Sequence, residues 1–352
     1  MGSIHSRKEG GVVKSSHPTQ HTTILLAIVA SAIVLVVLAG QWLKPERLLR
    51  EGMDIGFTYS VTYAEYLGLD PTRTFDTMVE ELRPNFVRIP VYWSRIEASN
   101  NEYSFQELDR LMDIADEHDV PVTLAIGRKV PRWPECFLPE FALPLDAEAL
   151  ALAQLDMMQT TVERYKDHPA LSHWQVENEP YFVLFGECPK PDFALLDREV
   201  ALVRIADPNT PIQMTASGEQ SLWLKQAALS DEVGVSVYRT IHSDLFGQIT
   251  YPIPPWMYRL KERLVAPGRV FISELQMEPW FGRSVHTYTV QEQLKLFNER
   301  TFEERMIYAE AIGLERVSLW GAEWWYYLKE AGEPTLWDAA AALSDDTHEQ
   351  DD

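Results

Sequence analysis

The reading turns on Leu171-Ser172-His173-Trp174-Gln175-Val176-Glu177-Asn178-Glu179-Pro180. Residues 171–176 read as a short buried strand, and Pro180 forbids its continuation in the middle of a sheet. An amide and a carboxylate therefore stand at the exit of a strand. A surface Glu in a turn is the plain reading of Glu179. The alternative is a barrel, because α/β barrels collect their chemistry at the carboxyl ends of their strands.

The surroundings favour the barrel. From Met53 onward, strand and helix patterns alternate without a break. Strands are expected over 53–58, 86–91, 122–127, 171–176, 212–218, 233–238, 270–274 and 317–320. Between them lie helical stripes. Asp70-Pro71 is a helix start, with Asp as cap and Pro at the first helical position, and Phe75, Met78, Val79 and Leu82 fall on one face. Ser104 with Glu107, and Thr289 with Glu292, have capping-box spacing, the second opening a helix expected to reach about Ile312. Asp146 caps a helix expected to run to about Tyr165. Strands alternating with helices imply a parallel sheet, and about eight such units fit a closed (β/α)8 barrel, the TIM barrel, of class α/β. An open doubly wound sheet would want a glycine-rich phosphate turn after its first strand, and none is present.

The 352-residue chain is long enough for one barrel with extras. Its 31 Lys and Arg against 53 Asp and Glu leave a net charge of −22, which repels phosphate backbones and argues against nucleic acid as a partner. There are two cysteines, Cys136 and Cys188, and neither Cys/His metal spacing nor an HExxH pattern, so a metal-dependent hydrolase is disfavoured and no cofactor is expected.

Ahead of the barrel, Ile24–Ala39 is an uninterrupted apolar run, long for a signal core and preceded by a long polar leader. It is expected to be an uncleaved transmembrane signal anchor over 23–40, with cleavage after the weak site Val37-Leu38-Ala39 and secretion as the alternative. A polar tail (1–22) precedes it and a charged linker (41–52) follows, then the barrel (53–343) and an acidic disordered tail (344–352). Arg7, Lys8 and Lys14 before the run balance Lys44, Arg47 and Arg50 after it, so flanking charge does not orient it. The barrel is expected on the extracytoplasmic side, since long domains translocate largely regardless of charge.

In a barrel, Arg88, Asn178, Glu179, Tyr238, Glu274 and Trp320 would converge at one mouth. Two facing carboxyls among such neighbours are a sugar-cleaving arrangement: one protonates the glycosidic oxygen, the other attacks or stabilises the sugar cation. Over Met53 to about Tyr327 the chain resembles clan A of the glycoside hydrolases, the barrels of the cellulase family 5 and β-galactosidase type. The resemblance rests on Val87-Arg88-Ile89-Pro90, Gln175-Val176-Glu177-Asn178-Glu179-Pro180, Ile272-Ser273-Glu274 and Trp320. It implies Glu179 as general acid/base, Glu274 as nucleophile and Asn178 as ligand of the sugar 2-hydroxyl. Arg88 and Tyr238 would hold the nucleophile ionised, and Trp320 would form the floor under the reacting sugar. It departs from family 5 at Ile126-Gly127-Arg128-Lys129, where members often carry a His.

The activity so implied is retaining hydrolysis of β-glycosidic bonds in an oligo- or polysaccharide. A transglycosylase acting on envelope glycans and a non-catalytic glycan-binding barrel are the alternatives. Sugar, linkage, endo or exo action and oligomeric state stay open. Glu177, two residues before Glu179, is the competing carboxylate on the same side of an extended strand. Glu278 reads as a rim or structural carboxylate. Of Trp93, Trp133, Trp280, Trp324 and Trp325, all just past strand ends, some should line the cleft. Cys136 and Cys188 follow neighbouring strands and are within reach of a disulfide in an oxidising compartment.

Overall fold

The computed structural model describes residues 31, 52–183, 185–243, 245 and 247–348. The expected anchor over 23–40 lies outside the described residues apart from Ser31. Among the described residues, no helix is long and apolar enough to cross a membrane.

Eight parallel strands close into a barrel: β1 (Asp54–Thr58), β2 (Phe86–Pro90), β3 (Val122–Ile126), β4 (Leu171–Val176), β5 (Ile212–Ser217), β6 (Glu232–Val237), β9 (Val270–Gln276) and β10 (Arg316–Trp320). Neighbours follow chain order around the ring, and β1 meets β10 to close it, with Ile55 opposite Val317 and Phe57 opposite Leu319. Strands buried on both faces read as near-continuous apolar runs, and β2, β3, β5 and β9 are buried along their whole length. The additional pair, β7 (Thr240–Ser243) and β8 (Gly247–Thr250), forms an antiparallel hairpin between β6 and the next helix. It does not appear in the sequence reading.

The helix Pro71–Leu82 starts as its sequence dictates: the Asp70 carboxylate accepts from the Arg73 N–H at 2.8 Å, and Phe75, Met78, Val79 and Leu82 are buried. Asp146 caps Ala147–Tyr165 in the same way, and the Thr289/Glu292 capping box forms. The Ser104/Glu107 box does not. Helix Gln106–Glu117 has Phe105 at its N-cap, which offers no side-chain acceptor, and the Glu107 carboxylate is bound by Arg95 at 2.8 and 2.6 Å. The helix expected to continue to Ile312 is two helices, Val290–Leu296 and Glu299–Ile312, the second capped by Asn298. The last helix, Thr335–His348, carries helical backbone into residues expected in the tail.

Candidate active site

Each barrel strand delivers its last residues to one mouth. There the loops enclose a cleft of about 870 Å³ lined by Glu179, Tyr238, Glu274, Glu278, Arg132 and Trp320 among others. Of the residues singled out from sequence, Glu179, Glu274, Tyr238 and Trp320 face this cleft. Arg88 and Asn178 do not line it and stand behind its wall.

Glu274 is addressed by two donors. Arg88 Nη2 lies 2.8 Å from its Oε1, and the Tyr238 hydroxyl donates to its Oε2 at 3.0 Å. Arg88 is 2 % exposed and held by two further bonds, Nε to Thr58 Oγ1 at 2.9 Å and Nη1 to Gln175 Oε1 at 3.2 Å. The guanidinium fork is therefore fixed by β1 and β4 while it reaches β9. Burial, then the neighbouring Glu274 charge, pushes the Tyr238 phenol well above its ordinary value, so it stays a donor.

Glu179 is treated differently. The Ser236 hydroxyl on β6 donates to its Oε1 at 2.7 Å, and Ser236 is the register partner of Glu274. No ion pair reaches its carboxylate among the described residues. Burial first, and Glu274 second, raise its pKa to about 8. Its backbone N–H donates to Thr215 Oγ1 at 2.8 Å, and its φ of 43° places it in the left-handed region.

That kink separates Glu179 from Glu177. Glu177 also has positive φ, 58°, so strict alternation ends at Val176. Its carboxylate turns back to accept the N–H groups of Arg128 and Lys129 at 2.8 and 2.7 Å and the Gln154 amide at 2.8 Å. Glu177 thus secures the loop after β3 and lies outside the cleft lining. Asn178 gives its amide N–H to Glu135 at 3.0 Å and accepts from Thr215 at 3.0 Å.

Several residues of the mouth were not singled out from sequence. Arg132 lies between two rings, 3.7 Å from the centroid of Tyr63 and 4.1 Å from that of Trp320, and pairs with both Glu278 and Glu323. Trp320, 7 % exposed, accordingly carries a guanidinium on its face, and the floor assigned to it by resemblance is a composite of indole and Arg132. Glu278, read as a rim or structural carboxylate, is buried in this pairing. Glu135 pairs with Lys129 at 3.1 Å, and burial raises its pKa to about 7. Trp133 and Trp280 line the cleft, whereas Trp93, Trp324 and Trp325 belong to the core. Cys136 and Cys188 form a disulfide between the loops after β3 and β4. Arg132 and Glu135 lie in the irregular Pro131–Cys136 stretch, whose only signal was its prolines and position past a strand.

No protein-family model matches the chain. A segment of 122 residues is 30 % identical to the β-galactosidase bgaB of Geobacillus kaustophilus, covering 29 % of this chain and 18 % of that protein. In structure, the β-galactosidase from the psychrophilic Marinomonas ef1 superposes with a TM-score of 0.55 at 14 % identity, over 83 % of this chain and 59 % of that one. GH5_18 from Bifidobacterium longum subsp. longum gives 0.54 at 14 % identity, over 76 % and 69 %. The chain thus spans less than two thirds of the first of these structures, and a small part of the curated relative. It resembles the clan A glycoside hydrolases in barrel fold and in this one segment of sequence.

Proposed function

We propose that the chain is a glycoside hydrolase that cleaves β-glycosidic bonds with retention, by double displacement on Glu274 with Glu179 as acid and base. The observation that carries this reading is the unequal treatment of two buried carboxyls at one mouth. Glu274 is gripped by the Arg88 fork and the Tyr238 hydroxyl, both donors. Glu179, raised to about 8, holds its proton at neutral pH. The barrel likeness to glycoside hydrolases supports the same reading.

In the first step a Glu274 oxygen bonds to the anomeric carbon as the glycosidic bond breaks, and Glu179 gives its proton to the departing oxygen. Esterified Glu274 no longer carries charge, so the second cause raising Glu179 disappears and Glu179 can act as base. It takes a proton from a water that attacks the anomeric carbon, releasing Glu274 and restoring the starting state. The steps call for no cofactor. Asn178 would have to turn from Glu135 to meet a sugar hydroxyl.

The substrate is an oligo- or polysaccharide, and the barrel works on the extracytoplasmic side, anchored by residues 23–40. The Cys136–Cys188 bridge supports that placement, since disulfides persist in oxidising compartments. Protease accessibility of the barrel in intact cells checks it: protection of the barrel rules it out.

The chemistry is tested on a panel of aryl β-glycosides. Wild type should turn over at least one, Glu274→Gln none, and proton NMR should show the β anomer as first product. An α first product rejects the double displacement, and equal inertness of wild type and variant rejects the enzyme. Trapping by an added sugar in place of water would reassign it as a transglycosylase.

A further inference from the structure

Beside the cleft lies a second cavity, of about 630 Å³, between the loop after β4 and the helix Phe193–Ala206. Two buried carboxylates stand in its lining, Glu177 at the exit of β4 and Glu199 on that helix. They share one partner. The side-chain amide of Gln154, on the helix Ala147–Tyr165, donates to Glu177 Oε1 at 2.8 Å and also to Glu199 Oε1. Beyond this the two differ. Glu177 accepts two backbone N–H groups as well. Glu199, 2 % exposed, has nothing more, and its Oε2 is without a partner. The Gln154 Oε1, fully buried, is without one too.

The charge is unbalanced in the same place. Lys129 spends its ammonium on Glu135, and Lys190 is exposed on the loop. Arg128 lines the cavity, yet among the described residues no ion pair joins it to Glu177 or Glu199, and it would offset one of two charges. A carboxylate taken out of water calls for a partner.

The unmet groups name the class of that partner. Both orphans are acceptors, which turns away an anion and calls for a donor or a cation. Two carboxylates and an amide carbonyl are an all-oxygen set, with neither thiolate nor imidazole, and such a set suits a hard cation. The oxygens come from a strand exit and two helices, with no octahedral frame imposed on them. Calcium accepts irregular shells of about 6–8 oxygens, and the cavity has room for the waters that would complete one, whereas magnesium demands a near-ideal octahedron. Among the described residues no three His, Cys, Asp or Glu gather as a metal cluster. Here the amide carbonyl stands as third donor.

We infer that Glu199, Glu177 and Gln154 form a calcium site in this second cavity. The ion ties the exit of β4 to two helices, and through Glu177 it steadies the loop after β3 that carries Arg132 and Glu135. It takes no part in the hydrolytic steps and does not rest on them.

The full chain, stripped with EDTA, is titrated with calcium and followed by thermal melts. Wild type should gain roughly 5 °C in Tm at about a hundred times the Kd, and magnesium should give less. Glu199→Gln keeps the shape, removes the charge and should lose the gain. Terbium, excited through the aromatic rings of the cavity, reads the site in wild type alone: emission should appear and be displaced by calcium. No gain in wild type, or terbium emission that calcium does not displace, overturns the site and leaves Glu199 a buried neutral acid. Equal gains in wild type and Glu199→Gln overturn it as well, since they mark diffuse binding to a chain of net charge −22. None of these readouts uses hydrolysis, so failure of the site and failure of the glycosidase reading are told apart.

Discussion

Replacing Ser236 by Ala should extend activity to higher pH. The Ser236 hydroxyl donates to Glu179 Oε1 at 2.7 Å, with both residues buried. A donor on a carboxylate favours the charged form, so this bond works against the burial and the Glu274 charge that bring Glu179 up to about 8. Removing it raises Glu179 further. A bond to a charged group contributes about 1.5–3 kcal/mol, and the neutral acid keeps part of it. The difference is on the order of one pKa unit, at about 1.36 kcal/mol per unit. The alkaline limb of kcat/KM, which reports the acid in the free enzyme, then moves from about pH 8 to about pH 9. At pH 9 the wild type keeps roughly a tenth of Glu179 protonated and the variant about half, a fivefold difference relative to neutral pH. The substrate must have a poor leaving group, so that proton transfer is needed, and the limb belongs to the Glu179–Glu274 pair as a whole. A limb that stays in place or moves toward acid in Ser236→Ala would refute both the bond's direction and the role of Glu179.

Three further outcomes follow from named contacts. Arg88→Met strips a buried guanidinium from Glu274, Gln175 and Thr58 and should cost about 3–5 kcal/mol in urea unfolding, with kcat falling in parallel. Arg88→Lys should restore little of either, since an ammonium lacks the fork. Replacing Cys136 and Cys188 by Ser opens a link between residues 52 apart, which by loop closure should lower stability by about 4 kcal/mol in the same assay. Gly127→Ala should destabilise the chain by about 1–3 kcal/mol in thermal melts. Gly127 has φ of 126°, and a Cβ there would stand 2.6 Å from Glu177 Oε1, the oxygen that receives the Arg128 N–H.

The barrel was legible because its strands are short apolar runs set between capped amphipathic helices, both local patterns. Glu179 and Glu274 were legible because their positions at or just past strand ends bring them to the mouth. Three kinds of feature were not. The orientation of Glu177 depends on left-handed backbone at residues 177 and 179, which breaks the period of two. The clasp on Arg132 joins residues 146 and 191 positions away, and nothing near Arg132 announces either. Ser236, on a strand otherwise read as core, gains its meaning only from register with Glu274 and contact with Glu179. The hairpin of β7 and β8 was missed because His242, Ser243, Gly247 and Gln248 interrupt any apolar alternation.

The distribution of cations around the mouth sets Glu179 apart from the other buried carboxyls there. Glu274 has Arg88, Glu135 has Lys129, and Glu278 and Glu323 share Arg132. Glu177 has two backbone N–H groups. Each of these carboxylates is compensated where it is buried, as a charge out of water requires. Glu179 has a hydroxyl instead, and burial together with the Glu274 charge raises its pKa to about 8. On the proposed reading, the acid is defined by the cation withheld from it as much as by its position just past β4. The same reasoning explains why Lys129 reaches toward this segment with bonds to the backbone carbonyls of Glu179 and Phe182, at 3.2 and 3.0 Å, while pairing its charge with Glu135. A cation moved from Glu135 onto the Glu179 carboxyl would stabilise the wrong form of the acid, and the first chemical step would lose its proton.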